Sequence, residues 1–176
     1  GGPDFGFALD AKRAIWADDV AHLHAQAQAQ QWDPDEAIDW TLAFELPDEV
    51  EDAVVQVMTY LVENENAALL VPARFLGQIH PHFREVLQLL ALQIADEARH
   101  VEVFTRRALH TRGRMGFSTV GGQASLKTLF EVGDFAVAAF LLSVLGEGTF
   151  VNLLRFLELH APDPLTRQIA RLTARD

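Results

Sequence analysis

The sequence contains no cysteine, and this absence removes several classes of chemistry. Disulfide frameworks, thiolate metal sites and cysteine nucleophiles all require a thiol, so this chain supports none of them. A chain without cysteine is compatible with a reducing compartment, and we expect a cytoplasmic protein. Any metal site must therefore rely on other donors, such as carboxylate and imidazole groups.

Basic residues are also scarce, with 14 Lys and Arg against 25 Asp and Glu and a formal net charge of −11. A surface with this balance repels nucleic acids and anionic membranes, so we expect neither as a partner. The longest apolar run, Phe135–Gly146, is too short to span a bilayer. Part of the acidity can be internal, because buried carboxylates serve as metal ligands.

Strand patterns are missing as well, since the Val and Ile residues recur at helical rather than alternating spacing. Apolar residues make up 49% of the 176 positions, enough for one domain over residues 1–176 with a sizeable core. We predict an all-α fold. Its long helical segments span 46–79, 80–114 and 134–160, a further one begins at 161, an extra helix covers 10–30, and a crossover with a short helix covers 115–133.

Glu97 and His100 are the first candidate functional residues. They lie three positions apart and therefore share one helix face. The other residues on that face are apolar, namely Leu90, Ile94, Val101 and Phe104. A Glu-x-x-His pair by itself is usually a surface ion pair. Here the pattern directs both side chains into the core, where charged groups are normally paired or bound to metal.

Two more glutamates lie on apolar helix faces. Glu65 shares its face with Met58, Leu61, Ala68 and Leu69, whereas the face of Glu63 is mostly polar. Glu147 shares its face with Phe140, Val144, Phe150, Val151 and Leu154, which is the most apolar pattern around any acid in the chain. Three helices thus each direct a carboxylate inward, and one adds a histidine. Such oxygen-rich sets with an imidazole suit iron or manganese.

An internal repeat extends this pattern. Asp96 follows His80 by sixteen positions, and Asp176 follows His160 by the same distance. The segments LALQIAD (90–96) and ARLTARD (170–176) correspond between these points. Glu97 follows Glu65 by 32 positions, and position 177 would follow Glu147 by 30. We therefore expect the natural protein to continue with a second Glu-x-x-His.

At these residues the sequence resembles the ferritin-like di-iron carboxylate superfamily, in particular the branch of the ribonucleotide reductase small subunit and related di-iron oxygenases. The resemblance covers about residues 47–176. It implies a ferritin-like four-helix bundle with an extra N-terminal helix, a long crossover between its second and third core helices, and a fourth core helix that is incomplete here. The ligand set it implies is Glu65, Glu97, His100 and Glu147, with Asp96 and Asp176 behind the ligand histidines.

The same resemblance implies cofactors, partners and an activity. Two iron ions, or an iron–manganese or manganese pair, would bind between the carboxylates, and dioxygen would be the cosubstrate. The expected partners are a small organic substrate, an electron-donor protein and a second copy of the chain in a homodimer. The resemblance implies a non-haem di-iron oxidoreductase. No catalytic residue is expected beyond the metal ligands.

One position departs from the radical-forming reductase subunits. Those proteins carry a tyrosine one turn after the ligand histidine, where this chain has Phe104. The only tyrosine, Tyr60, precedes Glu65 by five residues and is expected to point elsewhere. Storage of a tyrosyl radical is therefore not expected, and oxygenase or oxidase chemistry is favoured.

Two alternatives remain open from the sequence. The protein could be a ferroxidase or iron-storage protein, although the extra helix and the long crossover fit such a compact subunit less well. It could also be a bundle that has lost its metal.

Gly146 and Gly148, which flank Glu147, allow two interpretations. They leave room for the carboxylate to shift or for oxygen or substrate to approach, or they allow close helix packing.

Overall fold

The computed structural model describes residues 19–176, and all regular structure in that range is helical. Residues 10–18 of the predicted N-terminal helix lie outside the described part of the chain. The helices in chain order are α1 (Val20–Ala29), α2 (Pro34–Ala37), α3 (Asp48–Leu76), α4 (Arg84–Arg112), α5 (Val120–Glu131), α6 (Phe135–Ala139), α7 (Glu147–His160) and α8 (Pro164–Thr173). A 3₁₀ turn (Pro81–Phe83) precedes α4, and a π-helical segment (Phe140–Gly146) joins α6 to α7. The predicted all-α fold is confirmed over the described residues.

Helices α3 and α4 form the longest packed pair, with 29 residues each. Three acids in the first turn of α3 interact favourably with its N-terminal dipole. The helix continues through Pro72 and ends at Leu76, so Pro72 does not mark the helix end. Helix α4 is followed by Gly113, whose φ of 62° lies in the left-handed region that favours glycine.

The third long segment is interrupted, although the sequence predicted one regular helix over 134–160. The backbone N–H of Glu147 donates to the carbonyl of Leu142, five residues earlier, as in a π-helix. Counted as one span, Phe135–His160 has 26 residues and is long and apolar enough to cross a membrane by length and composition. The sequence prediction considered only its first part. Core helices of soluble proteins that meet these two criteria are mostly buried, whereas only 17% of the most apolar window of this span is buried within the described residues.

The crossover contains a longer helix than the sequence predicted. Helix α5 begins at Val120, where the hydroxyl of Thr119 accepts a hydrogen bond from the N–H of Gly122. The sequence predicted a short helix over residues 123–130 in this crossover, and the helix begins three residues earlier. The guanidinium of Arg74 on α3 donates to backbone carbonyls at the end of α5 and just beyond it, which attaches the crossover to the bundle.

A buried ion cluster fixes the end of the bundle where α3 begins. Arg107 is fully buried and donates to both oxygens of Glu51, at 2.8 and 3.0 Å. It also donates to Asp163 at 2.9 Å and to the hydroxyl of Thr166 at 2.8 Å. The carboxylate of Asp163 in turn caps α8 by accepting from the N–H of Thr166. We call these four residues the Arg107 cluster; it ties α3, α4 and α8 together.

Candidate metal centre

Glu65 on α3 and Glu97 and His100 on α4 meet inside the bundle, as the sequence predicted for these three side chains. Their possible ligand atoms all lie within 4.8 Å of one another. The three residues are 5%, 6% and 6% exposed, so the group is buried. Glu63 is half-buried and is not part of this group, in agreement with the polar face predicted for it.

The His100 ring places one nitrogen toward the two glutamates and the other toward Asp176. Its Nδ1 lies 3.2 Å from Glu97 Oε2 and 3.5 Å from Glu65 Oε1. Its Nε2 lies 3.0 Å from Asp176 Oδ2. If Nε2–H is donated to Asp176, loss of the Nδ1 proton on metal binding would leave an Nδ1 lone pair that faces the carboxylates, which is the tautomer a metal ligand requires.

A single oxygen of Asp176 receives three hydrogen-bond donors. The indole Nε1 of Trp32 and Nη2 of Arg99 each donate to Oδ2 at 2.8 Å, and His100 Nε2 is the third partner. The Asp176 side chain is 4% exposed, and these donors keep its pKa below the usual range although burial alone would raise it. Asp176 thus holds the ring of a candidate ligand, which is the role that the resemblance implies for it.

Asp96 has a different set of contacts from Asp176. Its Oδ1 accepts from Arg99 Nη2 at 2.5 Å and from Gln31 Nε2 at 2.7 Å, and His100 is not among its partners. Arg99 also donates to Gln31 and lies 4.6 Å above the Trp32 ring. The two acids that correspond in the internal repeat therefore meet at one guanidinium. No histidine in the described part of the chain is held by Asp96.

Glu147 lines the same cavity as the buried group without belonging to it. It stands at the first position of α7 and is half-buried, although the sequence pattern placed it on an apolar helix face. The most deeply buried acids among the described residues are Asp163 and Glu51 of the Arg107 cluster, at 0% and 2% exposure. Glu147 is less enclosed because the segment Phe140–His160 presents much of its surface to solvent.

Acid pKa values at this site are shifted upward. Burial, followed by interaction with Glu65, raises the pKa of Glu97 to about 7, against the lowering effect of His100. Burial and the charge of Glu97 raise the pKa of Glu147 to about 7. Burial lowers the pKa of His100, but hydrogen bonds to Asp176, Glu65 and Glu97 outweigh it and raise that pKa well above the usual value. Protons therefore neutralise the carboxylates that no cation balances.

A cavity of about 440 Å³ lies beside the buried group. Glu65, Glu97, His100 and Glu147 all line it, and it extends to α1 and to the start of α4. Its remaining walls combine apolar side chains with neutral amides, two hydroxyls and two further acids, contributed by Leu23, Gln26, Ala27, Gln30, Leu89, Gln93, Asp96, Ser143, Phe150, Val151, Leu154, Thr173, Ala174 and Asp176. The volume is in the range of pockets that take small organic molecules.

The aromatic residues near the site agree with the expectations from the sequence. Phe104 is fully buried, with its ring centroid 6.3 Å from that of His100. Tyr60 is 41% exposed, stacks on Phe150 and does not line the cavity. The indole N–H of Trp32 donates to Asp176. No local sequence pattern indicates that contact, because the partners are 144 positions apart.

No protein-family model, no curated protein and no solved structure matches this chain. The chemistry of the site therefore rests on its own donor atoms. Three carboxylates and one imidazole, arranged around a common cavity, form an oxygen-rich set of the kind that iron and manganese accept. The donor set fits such a metal centre, because a divalent cation would replace the protons that now neutralise it.

Proposed function

We propose that the protein is a metal-dependent oxidoreductase of the ferritin-like di-iron type, which uses dioxygen to oxidise a small organic substrate. The observation that carries the proposal is the buried group of Glu65, Glu97 and His100, whose ligand atoms lie within 4.8 Å of one another. It supports metal binding because buried charges without a cation are unfavourable. The all-helical bundle and the resemblance of its motifs support the ferritin-like arrangement.

In this proposal each side chain of the site has one task. Glu65, Glu97, His100 and Glu147 hold the metal ions, which are iron or a manganese-containing pair. When bound, these ions supply redox chemistry with dioxygen. Asp176 fixes the His100 ring through Nε2, at 3.0 Å, so that Nδ1 faces the metal. The cavity of about 440 Å³ beside these ligands leaves room for substrate.

The proposal includes partners that follow from the chemistry. Many oxidations by dioxygen use more electrons than the organic substrate supplies. These reactions need a reductant, so an electron-donor protein is part of the proposal. A homodimer and a cytoplasmic location complete it. The cavity of about 440 Å³ favours an organic substrate over simple iron storage, because ferroxidation needs no pocket of this size beside the ligands.

The deciding experiment is reconstitution of the protein with Fe(II) or Mn(II) under anaerobic conditions, followed by elemental analysis. We expect bound metal in the wild type and a large loss in Glu97→Ala. Glu63→Ala is the matched control, because Glu63 lies on the same helix as Glu65, is half-buried and is outside the group. It should bind metal like the wild type.

Two results would overturn the proposal. Equal metal content in Glu97→Ala and wild type would remove the assigned site, and no metal in the reconstituted wild type would favour a metal-free bundle. The ferroxidase alternative is tested by size and capacity. If the protein forms a cage-sized assembly and binds many more iron ions than its ligand side chains can hold, iron storage is the better assignment.

A further inference from the structure

Helix α1 forms a wall of the cavity of about 440 Å³ beside the candidate metal centre, which we call the large cavity. None of the residues of α1 is buried, so the helix adds no side chain to the hydrophobic core. Its attachment lies just beyond its C-terminal end, where Gln31 donates to Asp96 at 2.7 Å and accepts from Arg99 at 2.8 Å. Four residues at the spacing of one helix face line the large cavity from α1 and its C-terminal cap, namely Leu23, Gln26, Ala27 and Gln30. The inward face of α1 therefore meets open space in which a ligand can lie.

Three neutral side-chain amides line the large cavity. Gln26 and Gln30 lie on the side of α1, and Gln93 lies on α4. None of these three side chains forms a hydrogen bond with another residue in the described part of the chain. Gln93 is half-buried and lies one turn before Glu97, a separation of about 6 Å along the helix axis. Each amide offers both a donor and an acceptor to a molecule bound next to the candidate ligands.

The charged side chains that line the large cavity are acidic, apart from the imidazole of His100. No Lys or Arg of the described residues lines it, whereas five carboxylates do: Glu65, Asp96, Glu97, Glu147 and Asp176. The guanidinium of Arg99 is engaged by Asp96, Asp176 and Gln31 and does not line the cavity. A substrate with a carboxylate or phosphate group would therefore lose hydration without gaining a cationic partner from the protein, which is costly.

Bound metal ions do not reverse this preference. Two divalent ions would be matched in charge by the five carboxylates together with Arg99, so the loaded centre has no excess positive charge for an anion. An ammonium group would compete with the ions for the same carboxylates. An uncharged ligand avoids both costs, and the three amides remain free to bind it.

We propose that the three amides recognise the substrate in the large cavity, and that this substrate is an uncharged molecule with an amide or alcohol group on an apolar body. The inference rests on the proposed function, since such a molecule is a substrate only if the centre oxidises it. The polar group of the substrate binds the amides, and its apolar body lies along Phe150 and Leu154, beside Glu147. Helix α1 thus determines substrate specificity.

A ligand-observed NMR screen with phenylalkyl compounds of matched chain length tests this assignment. The set contains carboxamides and alcohols, the corresponding carboxylates, and the corresponding amines as ammonium ions. Carboxylates are compared with the uncharged compounds on the metal-free protein, where no metal ion can bind them directly. Ammonium compounds are compared on the Zn(II)-loaded protein, where ions occupy the carboxylates. In both comparisons we expect the uncharged compounds to bind roughly ten-fold more tightly or better, because no charge leaves water.

Substitutions of the amides locate the binding. Gln93→Leu keeps the approximate size of the side chain and removes its amide, so carboxamide affinity should fall by about 2–10-fold, the contribution of one hydrogen bond. Gln26→Leu should have a similar effect. Gln28→Leu is the matched control, because Gln28 is an exposed glutamine of α1 that does not line the cavity. It should bind every compound with wild-type affinity.

Three results would overturn the inference: no binding of any uncharged compound, equal or tighter binding of the carboxylates or ammonium ions, or wild-type affinity in both Gln26→Leu and Gln93→Leu. Failure of the proposed function has a different signature. If the wild type binds no metal but the metal-free protein still prefers uncharged compounds through these amides, the proposed oxidation fails. The large cavity then remains a binding site for uncharged ligands.

Discussion

The bundle contains two buried polar clusters that differ in charge balance. In the Arg107 cluster, the cation donates four hydrogen bonds to Glu51, Asp163 and Thr166, and the side chains satisfy one another. At the candidate metal centre, Glu65, Glu97 and Glu147 surround one imidazole, and the pKa values of Glu97 and Glu147 rise to about 7. The first cluster is complete in itself, whereas the second needs protons or a metal. Burial of charge is thus balanced by protein groups in the first cluster, and in the second it is the basis of the proposed metal site.

The largest effect is expected from Arg107→Met, which leaves Glu51 and Asp163 buried without their cation. Removing one partner of a buried ion pair costs about 3–5 kcal/mol, so we expect a loss of that size in the free energy of unfolding, measured by urea denaturation. Arg106→Met is the control, since Arg106 is 34% exposed and its pairs should contribute roughly 1 kcal/mol or less. Similar losses in both variants would contradict the structural role of the cluster.

Glu97→Ala should weaken metal binding, whereas a substitution in the Arg107 cluster should not. We expect the affinity for Fe(II) or Co(II) to fall by more than about 100-fold, since even residues that only orient metal ligands account for about 10–100-fold. Isothermal titration under anaerobic conditions measures this change. Arg107→Met, at a pH and temperature where it remains folded, should bind metal with wild-type affinity. Equal metal binding by Glu97→Ala and wild type would contradict the assignment.

The pH dependence of stability should reveal the excess of acid at the metal centre. Between pH 4.5 and about 7, the folded protein keeps protons on Glu97 and Glu147 that the unfolded chain has released. The free energy of unfolding of the metal-free protein should therefore decrease as pH rises through this window, by about 1–3 kcal/mol. The raised pKa of His100 acts in the same direction at higher pH.

The control for this pH effect is Glu97→Gln. In this variant the free energy of unfolding should decrease less steeply between pH 4.5 and 7. Unfolding by urea in the presence of EDTA measures both proteins under the same conditions. Arg107 keeps its charge throughout this range. A stability that increases with pH over the window in the wild type would disagree with the shifted pKa values.

The smallest effect is expected from the acids behind the ligands. Asp176→Asn weakens the contact that holds His100 Nε2, and metal affinity should fall by about 10–100-fold. Asp96→Asn is its counterpart in the repeat and does not contact His100, so the affinity should change less. Co(II) absorption titrations measure both variants. A larger loss in Asp96→Asn than in Asp176→Asn would show that the contacts of Asp176 do not set the geometry of His100.

The inward direction of Glu65, Glu97 and His100 could be predicted from the sequence because helical periodicity is a local property. The same reasoning placed Glu147 too deep, since the neighbours on one helix face do not reveal which element covers that face. The Arg107 cluster was missed because Glu51 falls in an acid-rich first turn, where acids ordinarily face solvent. The π-helical segment before Glu147 was also missed, because its composition is that of a regular helix.

By itself, the sequence determined the helical class, the starts and ends of the long helices and the three side chains that form the buried group. These features depend on spacings of a few residues, caps and turns, which act within one helix. Only the tertiary structure decided that Asp176 receives donors from residues 76, 77 and 144 positions away, and that Glu51 and Asp163 share one guanidinium. Such contacts are set by how the helices pack, and packing joins positions that no local pattern relates.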